Sequence, residues 1–145
     1  MRNIGVSNFD VAQLQQLSAL SAAPLAAVQA HSDPFAQNRG VQAFCAQRGV
    51  AFQAYSSLGL QWWGRYQANP VLSAPAVVSA AAAHGVSPGQ AVLRWALHRG
   101  QAVIPKSSSD AHIRANLNLS FALSADELSA IDAMDGRLPD AAAAA

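Results

Sequence analysis

The feature that most constrains the fold is a regular alternation of short apolar runs with segments of helical spacing. The apolar runs cover residues 4–6, 25–30, 50–55 and 102–105. Strands that alternate with helices form right-handed β-α-β units, in which neighbouring strands are parallel. The sequence therefore predicts an α/β protein with four parallel strands, one for each apolar run.

Helix signals frame the segments between these strands. Residues 7–10 (SNFD) offer helix-capping side chains before apolar residues at helical spacing. Gly49 and Gly85 follow two further helical segments, and Ser124 with Glu127 has the spacing of a capping box. We expect helices over residues 11–20, 38–48, 74–84, 88–98, 110–116 and 124–134.

Composition excludes several classes of protein. The chain has 145 residues, of which 52% are hydrophobic and 12% charged, so it can bury the core of one domain and is not a disordered tail. A formal net charge of +1 indicates neither a nucleic-acid-binding surface nor an acidic one. One cysteine cannot form an internal disulfide, and no leader or long uncharged apolar run is evident. We expect an intracellular, cytoplasmic protein without a nucleic-acid or membrane partner.

Two architectures contain parallel strands that alternate with helices. A doubly wound sheet usually carries a glycine-rich phosphate fingerprint in its first strand-to-helix turn, and IGVSNFD lacks it. An eight-stranded barrel instead binds phosphate in the loops after its last strands. The stretches here that best suit phosphate follow the third and fourth strands, which favours a barrel in which the four strands are numbers five to eight.

Five short motifs stand out along the chain: IGVSNF (4–9), VQA with a following proline (28–34), AYSSLG (54–59), VLRW (92–95) and VIPKSSS (103–109). In their order and spacing they resemble the aldo-keto reductase family. A whole barrel needs roughly 250 residues. The resemblance therefore implies the C-terminal half of a (β/α)8 TIM barrel, with four parallel βα units plus a C-terminal helix. It assigns residues 1–138 to an NADP-binding part and residues 139–145 to a disordered tail.

The family resemblance also implies a reaction, the reduction of a small carbonyl substrate. In that family hydride passes from NADPH to an aldehyde or ketone, and a tyrosine hydroxyl protonates the product oxygen with help from an aspartate, a lysine and usually a histidine. Those groups lie in the first half of the barrel. Lys106 is the single lysine here, Tyr55 and Tyr66 are the two tyrosines, and Lys106 and Tyr55 already belong to other motifs. We therefore expect cofactor binding without the catalytic set, and no useful turnover by this chain alone.

Four residues at strand ends are implied to hold the nicotinamide. The resemblance assigns Ser7, Asn8 and Gln29 to its carboxamide and Tyr55 to stacking on its ring. A purely structural role is the alternative: Ser7 and Asn8 cap a helix, Gln29 lies inside the barrel and Tyr55 ends a strand. Because the other motifs occur in the same chain, in the family's order, the cofactor role of these four residues is favoured over the structural one.

The phosphates of the cofactor are implied to lie against two later loops. Ser56, Leu58 and Gly59 line the loop that covers the pyrophosphate. Lys106 followed by Ser107 and Ser108, just before a helix, forms an anion site on chemical grounds alone, suited to the adenosine 2′-phosphate. A solvent-exposed serine-rich turn is the structural alternative.

Two positions near this anion site differ from the family pattern. His112 stands where the family commonly has an arginine, while Arg114 falls on a different side of the helix. Histidine is mostly neutral near neutral pH, so we expect a weaker, pH-dependent preference for NADPH, with NADH as the second cofactor. Asn116 is implied to contact adenine, although Ala115 replaces the acidic residue often found before it.

Two further features remain ambiguous in the sequence. Trp62 and Trp63 fit an aromatic pair at a substrate mouth or ordinary packing equally well. His31 and Asp33 have a spacing seen in metal sites, but they lack a nearby third ligand, so no metal is expected.

A second function from another class is a non-catalytic interaction or regulatory subunit. Two features favour it. The catalytic acid is missing, and a half-barrel leaves two sheet edges open. Apolar residues at those edges, Ile4, Val6, Val103 and Ile104, then invite self-association or a partner.

Overall fold

The structure, a computed structural model, describes residues 2–139. Its four strands are β1 (Ile4–Ser7), β2 (Leu25–His31), β3 (Ala51–Tyr55) and β4 (Ala102–Val103). Its helices are α1 (Val11–Leu20), α2 (Arg39–Arg48), α3 (Pro75–Ala83), α4 (Pro88–His98), α5 (Asp110–Leu117) and α6 (Ala125–Asp132). The predicted alternation of strands and helices is confirmed. Of the segment predicted to be a disordered tail, residues 140–145 lie outside the described residues.

The strands form one parallel sheet in the order β1-β2-β3-β4. Ser7 is in register with Gln29, and Gln29 is in register with Gln53. β4 is shorter than the predicted residues 102–105, since only Ala102 and Val103 pair with β3. The strand ends before Pro105, which has no N–H to donate to a ladder.

Three of the helices begin at capping boxes, which explains where they start. Asp10 accepts a hydrogen bond from the Gln13 backbone N–H at 2.8 Å and opens α1. Ser87 opens α4 and Ser124 opens α6 in the same way, each with a partner three residues later. Ser7 and Asn8 therefore do not cap α1.

Helices α1 and α2 cover one face of the sheet. Val28 and Ala30 in β2 and Phe52 and Ala54 in β3 are buried in an apolar cluster with α1 and α2. Because side chains alternate across a strand, Gln29, Gln53 and Tyr55 point to the opposite face. Cys45 is buried in this cluster.

A second apolar cluster joins α3, α4 and α6. Trp95, Ile131 and Val77 are fully buried in it, and Val103 of β4 packs against it. The Trp95 indole Nε1 donates to Asp132 Oδ1 at 2.8 Å, which links α4 to α6.

His84 and Glu127 form a contact between α3 and α6. Their side chains approach to 2.9 Å, and the hydrogen bond from His84, followed by that from the Ser124 backbone, lowers the pKa of Glu127. Both side chains are partly exposed, so the contact adds little to stability. No helix within residues 2–139 is long and apolar enough to cross a membrane.

Two adjacent valines in α3 test how far the second cluster stabilises the fold. Val77 is 0% exposed, whereas Val78 is 44% exposed. Val77→Ala removes two buried methyl groups and should lower the free energy of unfolding by about 2 kcal/mol. Val78→Ala should change it by less than about 0.5 kcal/mol. Equal effects in urea denaturation would show that α3 does not pack as described.

Candidate functional site

Polar side chains meet at the carboxyl ends of the first three strands. The Asn8 backbone N–H, just after β1, donates to the Gln29 carbonyl in β2 at 2.9 Å. The Tyr55 hydroxyl at the end of β3 donates to Asn8 Oδ1 at 3.0 Å. Asn8, Gln29 and Tyr55, predicted to hold one end of a cofactor, are thus brought together, and Ser7 lies beside Gln29 in register.

The local backbone explains why Asn8 can reach this cluster. Asn8 has a φ of 59°, in the left-handed region that asparagine tolerates better than most residues. The chain therefore turns sharply after β1, and both Ser7 and Asn8 are exposed. Because Asp10 caps α1, the structural role considered for Ser7 and Asn8 is not the one they have.

Two members of this cluster, Gln53 and His31, were not predicted to belong to the cofactor site. Gln53 accepts a hydrogen bond from Gln29 Nε2 across neighbouring strands. The ring of His31 lies 5.9 Å from that of Tyr55, at the end of the neighbouring strand. Period-two alternation in β2 and β3, counted from Gln29 and Tyr55, would have placed both on the same face.

A groove of about 730 Å³ lies where the loop after β3 meets the segment after β4. Lys106, Ser107, Ser108 and His112 line it from one segment. From the loop after β3 the groove is lined by Ser56, Ser57, Leu58, Leu60, Trp63, Asn69 and Leu72. Ser56 and Leu58, predicted to bind the pyrophosphate, therefore share one groove with the residues predicted to bind the 2′-phosphate. Gly59, the third residue predicted for the pyrophosphate, lines a separate cavity of about 260 Å³ instead.

A smaller cavity of about 210 Å³ shares Leu58, Lys106, Ser107 and His112 with this groove. It adds Asn116 from the second half of α5, together with Ser87, Pro88 and Gly89 at the start of α4. Asn116 therefore lies beside the Lys106 segment. Arg114 lines neither cavity.

The groove carries positive charge at its Lys106 side. Among the ion pairs of residues 2–139, none involves Lys106, whose side chain is exposed. Ser109 caps α5, whose N-terminus follows directly and adds positive dipole character. Asp110 in the first turn opposes this, but it lines neither cavity.

A tight turn shapes the loop after β3. Ser56 and Gly59 have positive φ values of 54° and 80°, and the Gly59 N–H donates to the Ser56 carbonyl at 2.9 Å. Asn69 closes the loop, because its Nδ2 donates to the Leu58 carbonyl at 2.7 Å and its Oδ1 accepts from the Val71 N–H at 3.0 Å. Asn69 was not predicted from the sequence to shape this loop, although an asparagine followed by a proline is typical of such a turn.

The two adjacent tryptophans separate. Trp62 is half-buried against the second apolar cluster, and its Nε1 donates to Asp33 Oδ2 at 2.9 Å. Trp63 is 80% exposed and lines the groove. Packing thus describes Trp62, while Trp63 lines the groove, and its role at a substrate mouth stays a prediction.

His31 and Asp33 pair with one another. His31 Nε2 lies 2.9 Å from Asp33 Oδ2, and Asp33 is fully buried. Within residues 2–139 no group of three or more His, Cys, Asp or Glu side chains is placed to hold a metal ion.

Known proteins match both the sequence and the fold. The sequence model described as the aldo/keto reductase family matches residues 1–135. An aldo-keto reductase of Mycolicibacterium vanbaalenii is 36% identical over 135 residues, which are 92% of this chain and 46% of that protein. A probable NAD(P)H-dependent D-xylose reductase of Arthroderma otae is 35% identical over 141 residues, covering 92% of this chain and 43% of that one.

A solved structure shows the same arrangement. The crystal structure of a Bombyx mori aldo-keto reductase in complex with NADP matches with a TM-score of 0.83 and 30% identity, over 96% of this chain and 47% of that one. The chain spans about half the length of the relatives that it matches. Its four βα units thus correspond to part of a larger barrel.

Gly59 is a sensitive point of the candidate site. A Cβ there would lie 2.6 Å from Asn69 Oδ1 and 2.8 Å from a Val71 methyl group, whereas a Cβ at Gly64, at a similar φ of 79°, would meet nothing within 4 Å. Gly59→Ala should therefore destabilise the protein by about 2–4 kcal/mol. Gly64→Ala, with backbone strain alone, should cost about 1 kcal/mol. Urea denaturation of both variants measures the difference, and equal losses would contradict the described packing of Asn69.

Proposed function

The chain belongs to the aldo/keto reductase family, and on that premise we propose that it is the NADP-binding C-terminal half of a carbonyl reductase. Family members are oxidoreductases that act on aldehydes and ketones. The observation that carries the proposal is the groove in which Lys106, its serines and His112 meet the loop after β3. The residues present fit NADPH, because the groove offers a cation, hydroxyl groups and a helix N-terminus to its phosphates.

The anion-binding end of the groove would select NADPH over NADH. We assign the adenosine 2′-phosphate to Lys106, Ser107 and Ser108, and the adenine to Asn116 in the adjoining cavity. His112 lines both cavities and adds positive charge when protonated. The pyrophosphate then lies against Ser56, Leu58 and Gly59, where the absence of a Cβ at Gly59 leaves room for Asn69.

The nicotinamide end lies at the carboxyl ends of β1 to β3. Bound NADPH supplies a hydride to the carbonyl carbon of a small aldehyde or ketone. In this chain Ser7, Asn8 and Gln29 hold the carboxamide by hydrogen bonds, and Tyr55, oriented through its own bond to Asn8, packs on the ring. Fixing both edges of the ring determines which face presents the hydride.

The proton for the product oxygen would come from outside this chain. The Tyr55 hydroxyl donates to Asn8 Oδ1, and the Tyr66 hydroxyl donates to the Pro139 carbonyl at 2.7 Å. Both partners are neutral oxygen acceptors, so neither tyrosine is activated by a lysine, histidine or aspartate among residues 2–139. We therefore assign the proton donor to a first half of the barrel, with Trp63 at the mouth that the substrate enters.

A non-catalytic interaction subunit is the second candidate. The sheet favours it, because β1 and β4 each pair with one neighbour only within the described residues. Val6 and Val103 pack under the helices and do not add to an open apolar face, while Ile104 is exposed. A partner would thus recognise mainly the strand edges and the polar face that carries Gln29 and Gln53.

Lys106→Met tests the proposed cofactor site, since methionine keeps the aliphatic stem and removes the charge. NADPH affinity, measured by calorimetry on the full chain, should fall about tenfold or more, because the 2′-phosphate loses a charge-assisted contact. NADH affinity should change less than about twofold. Arg114→Met, which removes a cation that lines neither cavity, is the control.

Equal losses for the two nucleotides, or no binding by the parent chain, would contradict the proposal. His112→Gln in the same titrations tests His112, because the preference for NADPH should narrow when the imidazole is removed. A preference equal to that of the parent chain would remove His112 from the site.

Turnover separates the two candidate functions. The chain alone should not oxidise NADPH in the presence of small aldehydes, since it lacks an activated proton donor. Adding a separate chain with the first four βα units of a relative should restore reduction. Reduction by the chain alone would contradict the assigned origin of the proton, and a complex that binds no NADPH would favour the interaction subunit.

A further inference from the structure

Asp33 is a fully buried carboxylate that accepts five hydrogen bonds. Its Oδ1 accepts from the backbone N–H groups of Phe35 at 2.6 Å and Ala36 at 3.0 Å. Its Oδ2 accepts from Trp62 Nε1 at 2.9 Å and from the Gln61 side-chain amide, and it lies 2.9 Å from His31 Nε2. A buried charge with this many donors is a strong local constraint.

The bonds to Oδ2 connect two loops that are distant in sequence. Asp33 lies in the loop after β2, whereas Gln61 and Trp62 belong to the short 3₁₀ turn Leu60–Trp62 after β3. The residues on either side of this pair, Leu60 and Trp63, line the groove. Asp33 itself does not line it. The Asp33 carboxylate therefore fixes the side chains of Gln61 and Trp62, which lie between two residues that line the groove.

We propose that Asp33 is a positioning residue that fastens residues 59–69 as a wall of the nucleotide groove. The inference rests on the function proposed above and adds to it the group that keeps this wall in place. Without the bonds to Asp33, the wall would still be held by the turn at Gly59, by Asn69 at its far end, by the packing of Trp62 and by the bond from the Tyr66 hydroxyl to the Pro139 carbonyl. The bonds to Asp33 are the ones that fix the side chains of Gln61 and Trp62. The Lys106 side of the groove would be unaffected, because it belongs to a different segment.

The chemistry of the site requires a carboxylate. All five donors are N–H groups, and an ionised carboxylate presents acceptors on both oxygens. In the variant Asp33→Asn, the side-chain oxygen could still accept from the Phe35 and Ala36 N–H groups. The new amide N–H₂ would then face the donors of Gln61, Trp62 and His31, which would release the wall while retaining the turn at residues 33–36.

The test compares two tryptophans that each donate an indole N–H to an aspartate. Trp62→Phe removes the bond to Asp33 and keeps most of the packing. Trp95→Phe removes an equivalent bond of 2.8 Å to Asp132, and since neither Trp95 nor Asp132 lines the groove, this variant serves as the matched control. Asp33→Asn is the stronger variant, and where it fails to fold, Trp62→Phe still decides the question.

Trypsin reports the state of the wall without any nucleotide. Arg65 is exposed within residues 59–69, and Arg114 is exposed on α5. In Trp62→Phe the ratio of cleavage at Arg65 to cleavage at Arg114 should rise about tenfold, because local opening becomes more frequent. In Trp95→Phe this ratio should stay at the parent value, even though overall stability falls. An unchanged ratio in Trp62→Phe would overturn the proposal.

Nucleotide binding reports the consequence for the groove. By calorimetry, Trp62→Phe should weaken NADPH about tenfold and leave adenosine 2′-monophosphate, which needs the Lys106 side alone, within about twofold. Equal weakening of both ligands would also overturn the proposal, since it would indicate general damage. A parent chain that binds neither ligand contradicts the proposed function instead, and the cleavage ratio then decides on the wall by itself.

Discussion

The structure depends on the difference between the two faces of one parallel sheet. One face packs its apolar side chains against helices, and the other carries polar side chains. Val28, Ala30, Phe52 and Ala54 are buried under α1 and α2, and this burial supplies the apolar stabilisation of β2 and β3. A one-residue slip of either strand would expose these side chains and bury polar neighbours such as Gln29 in their place. The same register that buries the apolar side chains thus sets the polar ones at one edge, so packing and site geometry are determined together.

Carboxylates connect the loops and helices to this framework. Asp33 joins the loops after β2 and β3, and Asp132 joins α4 to α6 while its backbone carbonyl accepts from Arg39 at 2.7 Å. Removing one partner of such a group leaves a buried acceptor or donor unpaired, which costs more than the bond itself contributes. The loops of the groove are therefore specified by a few polar contacts, in contrast to the strands, which many apolar contacts specify.

The sequence predicts those parts of the fold that depend on near neighbours. Alternation within a strand, the capping box at Ser124 and the glycine after α2 are local signals, and all of them predicted elements correctly. The length of β4 was overestimated, because where this strand ends depends on its pairing with β3. Asp33 was considered only as a metal ligand beside His31, since its partner Trp62 is 29 positions away and no local pattern connects them. Family motifs located the groove, but its wall depends on this unpatterned contact.

The balance of charge at the groove explains why its two ends have different tasks. Lys106 is exposed and water screens it, so it can attract a phosphate but can hold little else in place. Asp110 at the start of α5 weakens the helix dipole that assists it. In the proposed cofactor site, affinity for a whole dinucleotide must then come from several contacts made at once, and those to the pyrophosphate need the loop after β3 to be ordered beforehand. Because the anchoring charge of Lys106 is exposed and therefore binds weakly, a groove wall that is already ordered contributes more to affinity. The buried Asp33 and the exposed Lys106 thus act together in one site.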